Sequence, residues 1–475
     1  MIQRFLTWIR GVFTKMLHID DAKRALNVDV AISKEMQEHI DLWAAMFLDD
    51  APWLDDNTQS AGIAAAVASE LARLTTVELE SEIVGDTPRA EYLQEQYKPV
   101  IDGLRQKVEI AAAGGGMAFK PYLDGDRLAV DCVPAWRFLP TAYNQGEVTG
   151  AVFVEQVTKG KTFYTRMEHH QLTDTSYTIR NVAYMSTAEA ELGRECSLDA
   201  VDEWADLEPE LIITRRNGSP IEHPLFAYFR MSQANTADLS SPLGASAYSR
   251  AVPLIEEADK QWSRILWEYE GSELAIDASQ GALSLEEPVT GGAKYKMPTR
   301  KKRLFRELGI DGGQSGDLYK VFSPAIRDQS LFNGFNQILR RIEFACGLAY
   351  GTLSDPQNVD KTAEEIRSSK QRSYAAVCEI QTALQTALEH LVWIMDFYAD
   401  MYKLAPKGKY EPTFVWGDGI LQDVDSEFTR RKMLVDSGYM RPEKLIAWYF
   451  HISEEEALAY LPKQETTGKL FPEEE

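Results

Sequence analysis

The chain has 475 residues, 44% of them hydrophobic, and a formal net charge of -23. A chain this long and this apolar builds a large core, with room for more than one domain, and its aromatic content excludes a disordered polymer. The acidity excludes nonspecific coating of DNA or of an anionic membrane, although a wall of like charge could still line a DNA channel without sticking to it.

The first segment, MIQRFLTWIRGVFTKML, is apolar but interrupted by Arg4, Arg10 and Lys15. It lacks the unbroken apolar core of a signal peptide and predicts an amphipathic helix packed on its own protein. Residues 1–120 are expected to be mainly helical. The stretch 61–82 carries Ile63, Val67, Leu71 and Leu74 at helical spacing, and residues 90–112 continue with Tyr92, Tyr97, Val100 and Leu104. The glycines Gly114–Gly116 break that pattern.

Residues 117–230 predict strands. The runs 127–133, 150–157, 162–168, 176–184 and 210–216 are short and rich in β-branched or aromatic residues, with turn signals at Asp124-Gly125 and Asn217-Gly218. Helical spacing returns over 245–273, where Pro253 should kink the helix or occupy its first turn. Residues 274–327 hold many glycines and a basic run, which predicts a loop-rich insertion with some strand. A helix is expected over 329–346 and a loop over 347–361. From Thr362 to Ala405 there is neither glycine nor proline. A continuous helix of that length would span about 65 Å, and Pro406 and Gly408 should end it. The acidic tail predicts short helices at 423–437 and 441–447, and a capping box at Ser453 and Glu456.

Catalytic signatures are missing. No Walker A loop, GxSxG or CxxC occurs, and the four cysteines (Cys132, Cys196, Cys346, Cys378) are far apart. The expectation is a protein without cofactor or metal, and not an enzyme. Glu168-His169-His170 is the one local metal-like cluster. Neighbouring strand residues point to opposite faces, so ordinary strand-end polarity is expected there. The basic run Lys294, Lys296, Arg300, Lys301, Lys302, Arg303 and Arg306 stands out in an acidic chain. It is either a solvated loop face or a docking patch for an acidic partner or DNA phosphates. A second cluster, Arg340, Arg341, Lys361, Arg367, Lys370 and Arg372, flanks the 347–361 loop. Salt bridges to Glu343, Glu364 and Glu365 are the simplest account of it.

The order helix, insertion, helix, loop, very long helix resembles the core of tailed-bacteriophage portal proteins, most closely those of siphophages with Gram-positive hosts. The phrases that carry the resemblance are KPYLDGDRLAVDCVPAWRFLPTAYNQGEVTGAVFVEQ (120–156), YTRMEHHQL (164–172), YTIRNVAY (177–184), HPLFAYFRMSQANTADLSSPLGASAYSRA (223–251), EFACGLAYGTLSD (343–355) and KTAEEIRSSKQRSY (361–374). Each phrase is weak alone; their order and spacing make the resemblance specific.

The resemblance implies an α+β portal fold. Residues 1–244 would be the wing, 245–273 the first stem helix, 274–327 the clip, 328–346 the second stem helix, 347–361 the tunnel loop, 362–405 the long wing helix and 406–475 the crown. It also implies a cyclic ring of about twelve copies at one capsid vertex, through which double-stranded DNA is packaged and ejected. Implied partners are the terminase packaging motor, major capsid and scaffold proteins, and head-completion or adaptor proteins. The location would be the virion, and the host cytoplasm during assembly. Another head–tail connector or minor capsid protein is the alternative. In the tunnel loop the expected DNA-facing residues are Ser354, Asp355, Pro356, Gln357, Asn358, Val359, Asp360 and Lys361. With one cation among them, they should touch DNA weakly and without reading sequence. The basic run would be the clip's docking patch.

Overall fold

The computed structural model describes residues 19–125, 127–173, 176–188, 191–214, 220–272, 275–279, 284–286, 294–296, 305–308, 319–322, 325–355, 363–417, 424–450 and 457–461. The expected N-terminal helix, the Asn217-Gly218 turn and the Ser453 capping box lie outside them. The chain divides into two compact units, Met1–Val77 with Ser81–Phe414, and Glu78–Glu80 with Val415–Glu475.

The larger unit opens with three helices, α1 (Ile19–Leu26), α2 (Lys34–Phe47) and α3 (Ile63–Thr76). Ser33 caps α2 by accepting the Met36 N–H at 3.1 Å, and Met36, Ile40, Trp43 and Ala44 form its buried stripe. The helix expected over 61–82 stops at Thr76, and Glu80–Val84 is strand β1 instead. The β-branched run Thr75-Thr76-Val77 weakens the helix there. The 90–112 region is likewise two helices, α4 (Pro88–Asp102) and α5 (Leu104–Gly114). Pro99 removes one donor near the end of α4, and Gly103 lies between the two helices.

One half-buried acid on α2 has an oxygen without a hydrogen-bond partner. Oδ1 of Asp41 is covered without a hydrogen bond, and burial, with Glu38 nearby, pushes its pKa up to about 7. The folded chain therefore holds a proton that the unfolded chain has already released, so stability falls as pH rises from about 4 to 7. Asp41→Asn should raise stability by about 1–2 kcal/mol at pH 8 and by progressively less toward pH 4. Urea titrations at several pH values check this.

Glycines 114–116 join α5 to strand β2 (Gly116–Asp124). Gly115 has φ +92°, and a Cβ there would lie 2.6 Å from the Gly244 carbonyl oxygen. Bulk and handedness both exclude a larger residue. β2 is central in an antiparallel sheet with β3 (Arg127–Pro134) and the later strand Ala227–Arg230. A second sheet is antiparallel in the order β4 (Phe138–Asn144), β5 (Glu147–Lys159), β6 (Thr162–Leu172), β7 (Tyr177–Ser186), β8 (Arg194–Cys196). β9 (Glu210–Ile213) pairs with the other end of β7, and Ala227–Arg230 is β10.

Helix α6 (Val252–Gly271) has Pro253 in its first turn, where the missing N–H has no intrahelical partner to lose. It packs antiparallel to α7 (Asp328–Ala345). Trp262 meets Phe335 at 5.9 Å, Tyr269 meets Phe332 at 6.4 Å, and Arg327 Nη2 bonds Glu268 at 2.8 Å. Between them the insertion contributes β11 (Ala275–Ser279), β12 (Ser284–Glu286), β13 (Lys294–Lys296), β14 (Phe305–Leu308) and β15 (Tyr319–Phe322). β11 pairs parallel with β14 and antiparallel with β15, while β12 and β13 form their own antiparallel pair.

Helix α8 runs Ala363–Met401, 39 residues, or about 58 Å. Its buried stripe includes Val377, Ile380, Leu384, Leu388, Leu391, Ile394 and Met395. That stripe packs on α3, α4, β2 and β10. The helix ends four residues before the expected Ala405. Lys403 turns left-handed (φ +58°), and the Leu404 N–H bonds the Ala399 carbonyl at 3.0 Å. Arg89, 1% exposed, secures this end by donating to Asp396 Oδ1 and to the carbonyls of Asp396, Ala405 and Pro406. The chain then forms β16 (Glu411–Val415), which pairs with β1.

The smaller unit holds α9 (Val424–Asp436) and α10 (Pro442–Phe450). Phe428 meets Tyr449 at 5.1 Å, Phe450 stacks on Tyr460 at 5.6 Å, and Arg431 lies over Trp448 at 4.3 Å.

Candidate functional site

Two regions carry unusual chemistry: a buried charge cluster in the large sheet, and the root of the loop between α7 and α8.

The cluster centres on Glu168. Lys120 Nζ donates to its Oε2 at 2.7 Å, Arg166 Nη1 lies 3.0 Å from the same oxygen, and His170 Nε2 is 2.6 Å from Oε1. Tyr177 Oη is 2.8 Å from His170 Nδ1. Burial by itself would raise the Glu168 carboxyl, but Lys120, His170 and Arg166 outweigh it and hold it well below the usual carboxylate range. Burial also keeps both histidines neutral, lowering His170 and bringing His169 down to about 4. A neutral His170 donates from Nε2 to the carboxylate and accepts from Tyr177. His169 faces the other way, toward Thr141 Oγ1 at 3.2 Å. This corrects the expectation of strand-end polarity: both histidines are buried in β6, paired opposite Val152 and Ala151. Among the described residues no group of three or more His, Cys, Asp or Glu could hold a metal ion, and the Lys120–Glu168 bond joins β2 to β6.

The loop root is built differently. α7 closes at Cys346, and Gly347 (φ +73°) turns the chain under Ala376. The Leu348 N–H returns to the Glu343 carbonyl at 2.8 Å, and Leu348 is fully buried. The Glu343 side chain, 0% exposed, then accepts four donors from the loop. Oε1 takes the N–H groups of Gly351 (3.1 Å), Leu353 (2.6 Å) and Ser354 (2.8 Å), and Oε2 takes the Ser354 hydroxyl (2.9 Å). Two turns earlier on α7, buried Asn336 Oδ1 accepts the Asp355 N–H at 2.7 Å. Arg372 of α8 covers the loop from outside, 4.7 Å from the Phe344 ring and 5.4 Å from that of Tyr350.

Of the expected tunnel-loop residues, Ser354 and Asp355 are therefore pinned to α7, while Pro356, Gln357, Asn358, Val359, Asp360 and Lys361 lie outside the described residues. The expected salt bridges to Glu343 do not form. Its oxygens are taken by backbone amides, and Arg340, Arg341 and Arg372 have no ion pair among the described residues. The side chains of Glu364, Glu365, Arg367 and Lys370 lie outside the description, as does Lys361.

The basic run does not come together as one strand. Lys294 and Lys296 fall on β13, and Arg306 falls on β14 in a different sheet; Arg300, Lys301, Lys302 and Arg303 lie outside the described residues. The register sets Lys294 opposite Glu286, and Arg306 opposite Asp277.

Glu343 and Asn336 were not legible as functional from the sequence. The available signal was an acid four residues before Gly347 in a segment whose glycines recur at 347 and 351. No described helix is long and apolar enough to cross a membrane.

A paired-helix hairpin with a strand insertion, a clamped loop and a 39-residue helix is the arrangement on which the sequence resemblance rests. The family model described as phage portal protein, SPP1 Gp6-like, matches residues 102–469. The chain belongs to that family. As a phage portal protein it is a structural component of the virion at the capsid vertex, acting in DNA packaging and as a head–tail connector, and the family is not enzymatic. No curated protein matches the sequence.

Proposed function

We propose that this portal protein closes into a ring of about twelve copies, with the 347–361 loop facing the central channel. On this reading residues 1–244 and α8 form the wing, α6 and α7 the stem, residues 274–327 the clip, and the C-terminal residues from 406 the crown. The clip serves the terminase motor during packaging and head-completion or adaptor proteins afterwards. Capsid and scaffold proteins meet the outside of the ring. Double-stranded DNA passes the loop without sequence-specific contact. The one observation that carries this reading is the order of elements. The antiparallel α6–α7 hairpin is followed by residues 348–355 anchored on α7, and α8 begins at Ala363. A helix this long is far above the globular average, and crossing a large assembly accounts for it.

Native mass spectrometry with negative-stain imaging of the purified protein tests the ring. Closed rings with a central hole are expected; a salt-insensitive dimer or tetramer would overturn the reading. Two variants test the parts. Deleting residues 355–359 should leave ring assembly intact and abolish packaging or retention of DNA, and normal phage titre would remove the loop from the channel. Charge reversal at Lys301, Lys302 and Arg303 together should slow motor or adaptor docking by about tenfold or more in a surface-binding assay.

A further inference from the structure

Glu343 differs from Glu168 in what satisfies its charge. Glu168, buried in the large sheet, is surrounded by cations. Glu343 lies in a segment rich in arginine, yet both of its oxygens go to the loop: three backbone amides and one hydroxyl converge on a single carboxylate. Few other backbone bonds hold this stretch. Among the described residues they are Gly347 N–H to Phe344, Leu348 N–H to Glu343 and Thr352 N–H to Ala349. The amides of Leu353 and Ser354 thus depend on the carboxylate, and that of Gly351 is shared between the carboxylate and the Ser354 hydroxyl oxygen at 3.2 Å. A buried anion that collects several converging N–H groups fixes backbone shape more tightly than neutral partners can. Two turns back, Asn336 takes one further loop amide, that of Asp355. Both acceptors are on α7, so residues 348–355 are an extension of that helix and not an independent loop.

From this convergence we infer that Glu343 is the positioning residue of the portal's loop: its carboxylate sets the point from which residue 356 departs and so the place of the loop relative to DNA. The inference rests on the channel reading given above. A merely structural Glu343 would matter for folding and nothing else.

The test uses assembled rings and heads. Glu343→Gln keeps size and shape but turns one acceptor into a donor that meets other donors. Ser354→Ala removes the hydroxyl alone and is the milder variant should Glu343→Gln fail to assemble. Amide exchange of residues 348–355 reads the clamp. A photo-crosslinking amino acid at position 357 reads DNA proximity in packaged heads. Rings of unchanged copy number are expected. Exchange at Leu353 and Ser354 should speed up by about tenfold or more in Glu343→Gln, and less in Ser354→Ala. Crosslink yield and DNA retention should fall in the same order.

Unchanged exchange in both variants would overturn the clamp. Faster exchange with unchanged crosslinking and retention would overturn the positioning role while leaving the channel reading standing. If position 357 fails to crosslink DNA in otherwise native heads, the channel reading itself fails and the inference falls with it, whatever the exchange data show.

Discussion

Glu168→Gln should destabilise the folded chain by about 3–5 kcal/mol, the usual cost of removing one member of a buried ion cluster. The carboxylate is the common partner of Lys120, Arg166 and His170, and all four residues lie inside the sheet region. Glutamine keeps one acceptor oxygen but turns an NH2 toward a cation or an N–H. Arg166 retains Glu155 at 2.8 Å, whereas Lys120 retains only Asp131 at 3.8 Å. The uncompensated charge on Lys120 is the main cost. Replacing Lys120 and Glu168 together by methionine and leucine should recover a large part of the loss, because apolar groups need no partner. Guanidinium titrations of the three proteins measure this. A single-mutant loss below about 1 kcal/mol would mean that water screens the cluster.

The same cluster sets an acid limit. The Glu168 pKa is depressed in the fold, so its contribution is complete above the ordinary glutamate value of 4.5 and is lost as pH falls through the lower folded value. His169 and His170 act in the same direction but begin earlier. The unfolded chain protonates them from 6.5 downward while the fold keeps them neutral, His169 until about 4. Stability should therefore decline between pH 6.5 and 4, and Asp41 opposes part of that decline.

Ala387→Pro should cost about 3 kcal/mol or more and prevent recovery of folded protein. Ala387 is 4% exposed, in the interior of α8, with Leu384, Leu388 and Leu391 buried around it. Proline removes the N–H that bonds residue 383 and drives its ring into that carbonyl. The kink would also misalign the stripe that meets α3, β2 and β10. Ala387→Gly, costing about 1 kcal/mol, separates backbone damage from loss of the methyl group. Circular dichroism and thermal melts of both variants check this; a soluble, cooperatively melting Ala387→Pro protein would show that α8 does not need to be continuous here.

Some of this architecture was legible in advance because its causes are local. α8 follows from a long absence of glycine and proline together with a 3.6-residue apolar period, both properties of neighbouring residues. Strands β3, β5, β6 and β7 follow from short runs rich in β-branched and aromatic residues. Strands β2, β4 and β10 lie in the region expected to be β-rich but in none of the runs singled out there. Pro121 and Pro140 interrupt the first two, and β10 has only four residues. Their pairing energy comes from partners such as Phe119 and Ala227, which are 108 positions apart in the register. The helix end at Met401 likewise depended on a distant neighbour, Arg89, that no periodicity reports.

The sequence by itself carried the resemblance to portal proteins, the order helix, insertion, helix, loop, long helix, and the presence of one very long helix, because those rest on composition, local spacing and recognisable phrases. The tertiary structure alone decided what the charges do. Lys120 meets Glu168 across 48 positions, and Glu343 turns from arginine to backbone amides. A charge takes whichever partner lies within about 3 Å when water is excluded, and burial makes that choice decisive. Which groups become buried together is set by how helices and sheets pack, and a linear pattern does not contain it.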